Sequence, residues 1–137
     1  MISTLTIEPR YQETDQMGVI HHSVYPIWYE MGRIRFCQEI GFPFHEIEQR
    51  QVGLAMVDMS CHYVKPVYFG KRYTLETELA FFSRVKMGFS YQLKDDEGTL
   101  VHRGQTTLVW LSKSFYPMDI KKNHPDIYEA FIKHVRE

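Results

Sequence analysis

The stretch Val24-Tyr25-Pro26-Ile27-Trp28-Tyr29-Glu30-Met31-Gly32-Arg33-Ile34-Arg35-Phe36-Cys37-Gln38-Glu39-Ile40 is the one from which the fold can be argued. Placed at 3.6 residues per turn, its apolar members spread over most of the circumference, and Glu30, Arg33, Arg35, Gln38 and Glu39 interrupt them without forming one polar face. A helix that is apolar nearly all round is normally buried on several sides. Its limits are marked as well. Ser23 is a candidate N-cap, Pro26 fits the first turn, and Gly41 followed by Pro43 is a stop signal. The rest of the chain has to wrap this helix.

Upstream, Thr4 to Tyr11 alternates, with Leu5, Ile7 and Tyr11 on one side, the pattern of a half-buried strand. Downstream, Ala55, Val57, Met59, Cys61 and Tyr63 alternate, then Tyr73, Leu75, Thr77, Leu79 and Phe81, then Phe89, Tyr91 and Leu93. Asp95-Asp96-Glu97-Gly98 supplies a turn, and Thr99 to Leu111 reads as a last long strand. One strand, one buried helix and four strands in meander order predict a single α+β domain over residues 1–137. Its antiparallel sheet of about five strands should curl around one long central helix. Ile127, Phe131 and Val135 stand at helical spacing and predict a short surface helix over about 125–135.

Composition narrows the function. With 137 residues, 44% of them hydrophobic and 24% charged, the chain has the make-up of an ordinary globular domain. A net charge of -1 argues against a protein that tracks nucleic-acid phosphates. No stretch approaches the roughly 20 apolar residues needed to span a bilayer. The start, Met1 to Thr6, lacks the features of a signal peptide, and Cys37 and Cys61 sit in regular apolar stretches rather than in a disulfide framework. A cytoplasmic protein is expected.

The chemistry is concentrated in Tyr11-Gln12-Glu13-Thr14-Asp15-Gln16-Met17-Gly18-Val19-Ile20-His21-His22-Ser23-Val24-Tyr25. Two carboxylates, two histidines and two tyrosines lie in a loop that runs into the helix. A helix start offers unpaired N–H groups and roughly half a positive charge, which polarise a carbonyl or hold an anion. A carboxylate beside it is the pairing that acyl transfer requires.

The pattern Tyr-x-x-x-Asp-x-x-Gly-Val-x-x-His-x-x-Tyr over Tyr11 to Tyr25, with Trp28, Glu30 and Arg33, then Gly53, Tyr63-Val64-Lys65-Pro66 and Gly70, resembles the 4-hydroxybenzoyl-CoA thioesterase family of hot-dog-fold proteins. The resemblance implies hydrolysis of an acyl-CoA to a free acid and CoA. Asp15 would be nucleophile or general base, with His22 lining the site. Gly18, Val19 and Tyr25 would border the thioester at the helix start, and a Gly53 N–H could also face the carbonyl. It further implies a substrate-binding role for Asp58 and cations at Arg84 and Lys86 for the CoA nucleotide. The implied assembly is a homodimer with a continuous sheet, or a homotetramer, with the site at the subunit interface. CoA is then part of the substrate, and no cofactor is required.

Each of these residues has a plainer reading. An Asp in a Gly-containing loop is commonly a turn residue, Glu13 is expected to be solvated, and Asp58 with Ser60 and His62 fits the strand face opposite the core. His102 reads as a cross-strand packing residue, and Arg84 and Lys86 as a solvated turn. No metal is expected, since side chains of consecutive residues such as His21 and His22 seldom converge and no second ligand pair completes a site. Two other functions share the cleft: a non-catalytic acyl-CoA or acyl-carrier-protein binding module, and a hot-dog dehydratase. Phe42, Phe44, Met56, Met59 and Phe89 are candidates for an acyl pocket.

Overall fold

A computed structural model describes all 137 residues. Strand β1 (Ile2–Ile7) is followed by a 3-10 turn (Tyr11–Glu13), helix α1 (Tyr25–Glu39) and a short helix α2 (Phe44–Gln49). Strands β2 (Gly53–Tyr63), β3 (Tyr73–Phe82), β4 (Lys86–Asp95) and β5 (Leu100–Leu111) come next, then helices α3 (Ile120–Asn123) and α4 (Pro125–Ile132). The five strands form one antiparallel sheet in the order β1-β3-β4-β5-β2. It curls around α1 in the hot-dog arrangement.

The expected four-strand meander is corrected. β3, β4 and β5 are joined by tight turns, but β2 pairs with β5 at the far edge, and β1 takes the place beside β3. The connection from Val64 to Arg72 explains this, since it is too long for a hairpin turn and carries the chain across the sheet. The first strand also starts and ends earlier than the alternation suggests. Pro9 has no N–H for the ladder, so Tyr11 falls in the turn beyond and is 74% exposed. α2 and α3 carry no signal that was read from the sequence.

A bulge between Met56 and Asp58 resets the face of β2. Beyond it Met59, Cys61 and Tyr63 lie opposite Thr106, Gly104 and His102 on the side facing α1, while Asp58, Ser60 and His62 lie on the outer face. Before it Ala55 points outward and Met56 inward, so the alternation predicted from Ala55 to Tyr63 holds only for its second half.

α1 buries Tyr25, Trp28, Tyr29, Gly32, Phe36 and Cys37, one face rather than several. Each large side chain on that face contributes roughly 1.5–3 kcal/mol by leaving water. Gly32 admits the close approach, since a Cβ there would collide with the Thr77 Oγ1 of β3. Ile27 and Met31, on the other face, remain 55% and 43% exposed. The apolar wheel is therefore covered only in part by the chain's own sheet. At the C-terminus, Phe131 of α4 stacks on Phe82 and packs edge-on to Trp110.

Candidate active site

The loop before α1 is a tight, hydrogen-bonded structure. Glu13 is buried, its carboxylate accepts the Arg10 N–H at 2.7 Å, and its carbonyl accepts the His21 N–H at 2.9 Å. The expectation that Glu13 is solvated is corrected: it ties the 3-10 turn together. Two residues on, Asp15 closes the loop tip. Its N–H bonds the Val19 carbonyl at 2.7 Å, and its Oδ1 accepts the N–H groups of Met17 (2.8 Å) and Val19 (3.3 Å). Gly18 makes the reversal at φ +80°. The Val19 and Ile20 backbones bridge to Tyr68 and Val67, which fixes the loop against the β2–β3 connection. Asp15 Oδ1 is thus held by two donors, and Oδ2 has no partner within the chain.

The loop enters α1 without a side-chain cap. Ser23, the expected N-cap, instead pairs its hydroxyl with His21 Nδ1 at 2.7 Å, and Val24 occupies the cap position. His22 is exposed, its ring 4.1 Å from that of His21. Its carbonyl accepts the Tyr63 hydroxyl at 3.1 Å. The N–H groups of Ile27 and Trp28 both reach the Val24 carbonyl, and Pro26 has none to offer. Tyr25, the first residue of α1, keeps an N–H with no acceptor in the chain. Its side chain is core: burial pushes its hydroxyl up to about 12.

The remaining sequence-predicted residues are not brought to this place within one chain. Gly53 opens β2 opposite Leu111, at the other end of the strand from Tyr63, about 30 Å away at strand rise. Lys86, opposite Val109, lies at that same far end and makes no ion pair. Arg84 is engaged by Asp119, with contacts of 2.9 and 3.1 Å, and Asp119 also caps α3. Asp58 faces away from α1 on the outer side of the sheet. Of the acyl-pocket candidates, Phe44 and Phe89 line a cavity of about 160 Å³ beside α1, with Glu30 and Arg33 among its other walls. Phe42 is core, while Met56 and Met59 are exposed on β2.

Beneath the helix start lies a cluster that the sequence showed only as packing. His102 of β5 is 1% exposed. It stacks on Tyr25 with ring centroids 4.0 Å apart and meets Tyr63 edge-on at 5.0 Å. Its Nε2 lies 2.5 Å from the Tyr29 hydroxyl, which also contacts Cys61 Sγ at 3.5 Å. Burial, helped by the neighbouring His62, lowers the imidazole to about 4. Gly104, two residues along β5, makes room for this cluster, since a Cβ there would collide with the Tyr29 hydroxyl.

No three His, Cys, Asp or Glu side chains are grouped to hold a metal ion. No helix is long and apolar enough to cross a membrane.

Comparison with known proteins bears on the family and the fold. Residues 9–122 match the family described as the Thioesterase-like superfamily. The Bacillus subtilis protein YneP, provisionally named an acyl-CoA thioesterase, is 31% identical over 96% of both chains. A DHNA-CoA thioesterase from Staphylococcus aureus superposes with a TM-score of 0.93 at 29% identity, covering 96% of this chain and 89% of that one. The chloroplastic acyl-acyl carrier protein thioesterase ATL2 of Arabidopsis thaliana is 28% identical over 82% of this chain and 61% of its own.

Proposed function

We propose that this chain, a thioester hydrolase belonging to the Thioesterase-like superfamily, cleaves an acyl-CoA to the free acid and CoA at the junction of the Asp15 loop and α1. The observation that carries this reading is a pair of unused groups on one rigid segment. Asp15 keeps Oδ2 free while Oδ1 is held by two N–H donors, and α1 begins with a Tyr25 N–H that has no acceptor. The thioester carbonyl would accept the Tyr25 N–H. An oxyanion donor of this kind is typically worth roughly 3–4 kcal/mol of transition-state stabilisation. Asp15 then either attacks the carbonyl carbon or takes a proton from the attacking water, and CoA leaves as the thiolate. The exposed His22 imidazole would line the same site.

The assembly we propose is a homodimer joined along β2. β2 is a sheet edge that exposes Met56, Val57, Met59 and Tyr63, and Ile27 and Met31 of α1 are exposed as well. An unpaired, apolar edge is a ready template for a second copy. Antiparallel pairing of two β2 strands would carry Gly53 and Lys86 of one chain towards the helix start of the other. Lys86, free of ion pairs, would serve the CoA phosphates, whereas Arg84 would have to leave Asp119 to do so. Cys37 and Cys61 are both unpaired, which supports a reducing, cytoplasmic setting.

The test is CoA release from a panel of aliphatic and aromatic acyl-CoAs, with Asp15→Asn as the comparison. Hydrolysis by the wild type and a fall of about 100-fold or more in kcat for the variant are expected. Full activity in Asp15→Asn removes the mechanism, and binding without hydrolysis by the wild type converts the protein into an acyl-CoA binding module.

A further inference from the structure

We propose that His102 is a positioning residue for the hydrolysis: its imidazole clamps the first turn of α1 to β5, so that the Tyr25 N–H is presented to the carbonyl. The inference rests on the reading of the helix start as the carbonyl site and extends it to a residue that touches no substrate.

Three contacts make the clamp. His102 stacks on the Tyr25 ring at 4.0 Å with an interplanar angle of 17°. Tyr63 stands edge-on to both rings, 5.0 Å from His102 and 5.2 Å from Tyr25, and its hydroxyl donates to the His22 carbonyl at 3.1 Å. One turn along the helix, the Tyr29 hydroxyl meets His102 Nε2. The segment from His22 to Tyr25, whose first and last N–H groups both lack an acceptor in the chain, is therefore held at both ends by rings that converge on one imidazole.

The hydrogen bonds assign its protonation. Tyr29 has a single hydroxyl proton and two neighbours, His102 Nε2 and Cys61 Sγ. If that proton went to Nε2, the ring proton would sit on Nδ1, which is buried without any partner. An orphaned buried N–H is rarer and costlier than a bare acceptor. The network is consistent with Nε2–H donating to Tyr29 and Tyr29 donating to Cys61, which leaves Nδ1 as an unprotonated lone pair.

A second proton would have to go to Nδ1, where no acceptor waits. The groups that face the ring are Tyr25 and Tyr29 from α1, and Tyr63 and Cys61 from β2, with His62 nearby on the same strand and Tyr91 of β4 stacked behind Tyr29. None of them is a carboxylate. The clamp thus works as a neutral ring, and Gly104 leaves the space that the Tyr29 hydroxyl needs to reach it.

The experiment measures kcat and KM with hexanoyl-CoA and benzoyl-CoA for the wild type, His102→Val, His102→Phe and Tyr63→Phe, with Ile127→Ala as a destabilised control remote from the site. His102→Val, which removes ring and hydrogen bond, is expected to lower kcat about tenfold with KM within about twofold, since misplacing a reacting group by a fraction of an ångström costs this order. His102→Phe keeps a ring under Tyr25 and should recover kcat to within about threefold of the wild type. The inference is overturned if His102→Val keeps its kcat, if it loses no more than Ile127→Ala at equal loss of Tm, or if His102→Phe recovers nothing. Should His102→Val fail to fold, Tyr63→Phe decides, because its ring is half exposed and only the bond to the His22 carbonyl is cut. An unchanged kcat there counts against the clamp. A wild type that hydrolyses no acyl-CoA overturns the thioesterase reading itself, an outcome distinct from active wild type with indifferent variants.

Discussion

The two carboxylate oxygens of Asp15 stand in different surroundings. Oδ1 accepts the Met17 and Val19 N–H groups and shapes the loop, while Oδ2 has no partner in the chain and is the oxygen that the proposed mechanism uses. Asp15→Asn keeps an oxygen for those donors, so its Tm should change little while kcat collapses. Asp15→Ala removes the acceptor and should also lose about 1–3 kcal/mol of stability, measured by urea denaturation. In a single turnover in water enriched in heavy oxygen, label incorporated into Asp15 indicates a mixed anhydride opened at the Asp15 carbonyl, whereas label in the product acid alone is the outcome shared by general-base attack and an anhydride opened at the acyl carbon. His102 gives a further prediction. Its pKa falls from an ordinary 6.5 to about 4 in the fold, so between those values the unfolded chain binds more protons than the native one. Stability is therefore complete above about pH 6.5 and declines as the pH drops towards 4, by up to about 3 kcal/mol. The denaturation midpoint compared at pH 7 and pH 4.5 should show this decline, and His102→Phe should flatten it. An equal decline in that variant would place the acid sensitivity elsewhere.

At the scale of elements, what could be read from the sequence followed local pattern, and what could not depended on distant partners. The α1 helix, the β-rich remainder and the loop bearing Asp15 announce themselves through periodicity and turn residues within a few positions. The bulge at Val57 does not, because it is expressed only in the register against β5, and it turned Ala55 outward and Met56 inward while Asp58 kept the outer face read for it. Arg84 looked like a free cation because Asp119 stands 35 residues away in sequence. Ser23 looked like a cap because its bond to His21 competes with capping, a choice that no spacing rule settles. Gly104 belongs with these hidden cases. It interrupts a strand of otherwise good formers for a reason visible only when Tyr29 of α1 lies beneath it. Gly104→Ala should cost roughly 1–3 kcal/mol by overpacking and displace the Tyr29 hydroxyl from His102. The measurement is the urea midpoint of the variant, alongside its kcat. A neutral substitution would mean that α1 and β5 separate more easily than their packing suggests.

At the scale of the molecule, the decisive feature is the separation of Gly53 and Lys86 from Asp15 and Tyr25 by the full length of β2. A two-fold axis near the middle of that strand would bring the two ends together twice and would cover Val57 and Met59, which a lone chain leaves 58% and 43% exposed. Met59→Glu places a carboxylate on this edge, where pairing two copies would bring two like charges close together without counter-ions. The substitution is at an exposed site, so the single chain should keep its circular dichroism. Sedimentation velocity should then show a monomer where the proposed assembly predicts a wild-type dimer, and kcat/KM should fall by about 100-fold although Asp15, His22 and α1 are untouched. A monomeric variant with undiminished kcat/KM would show that one chain holds a complete site, and the far end of β2 would then have no part in the reaction.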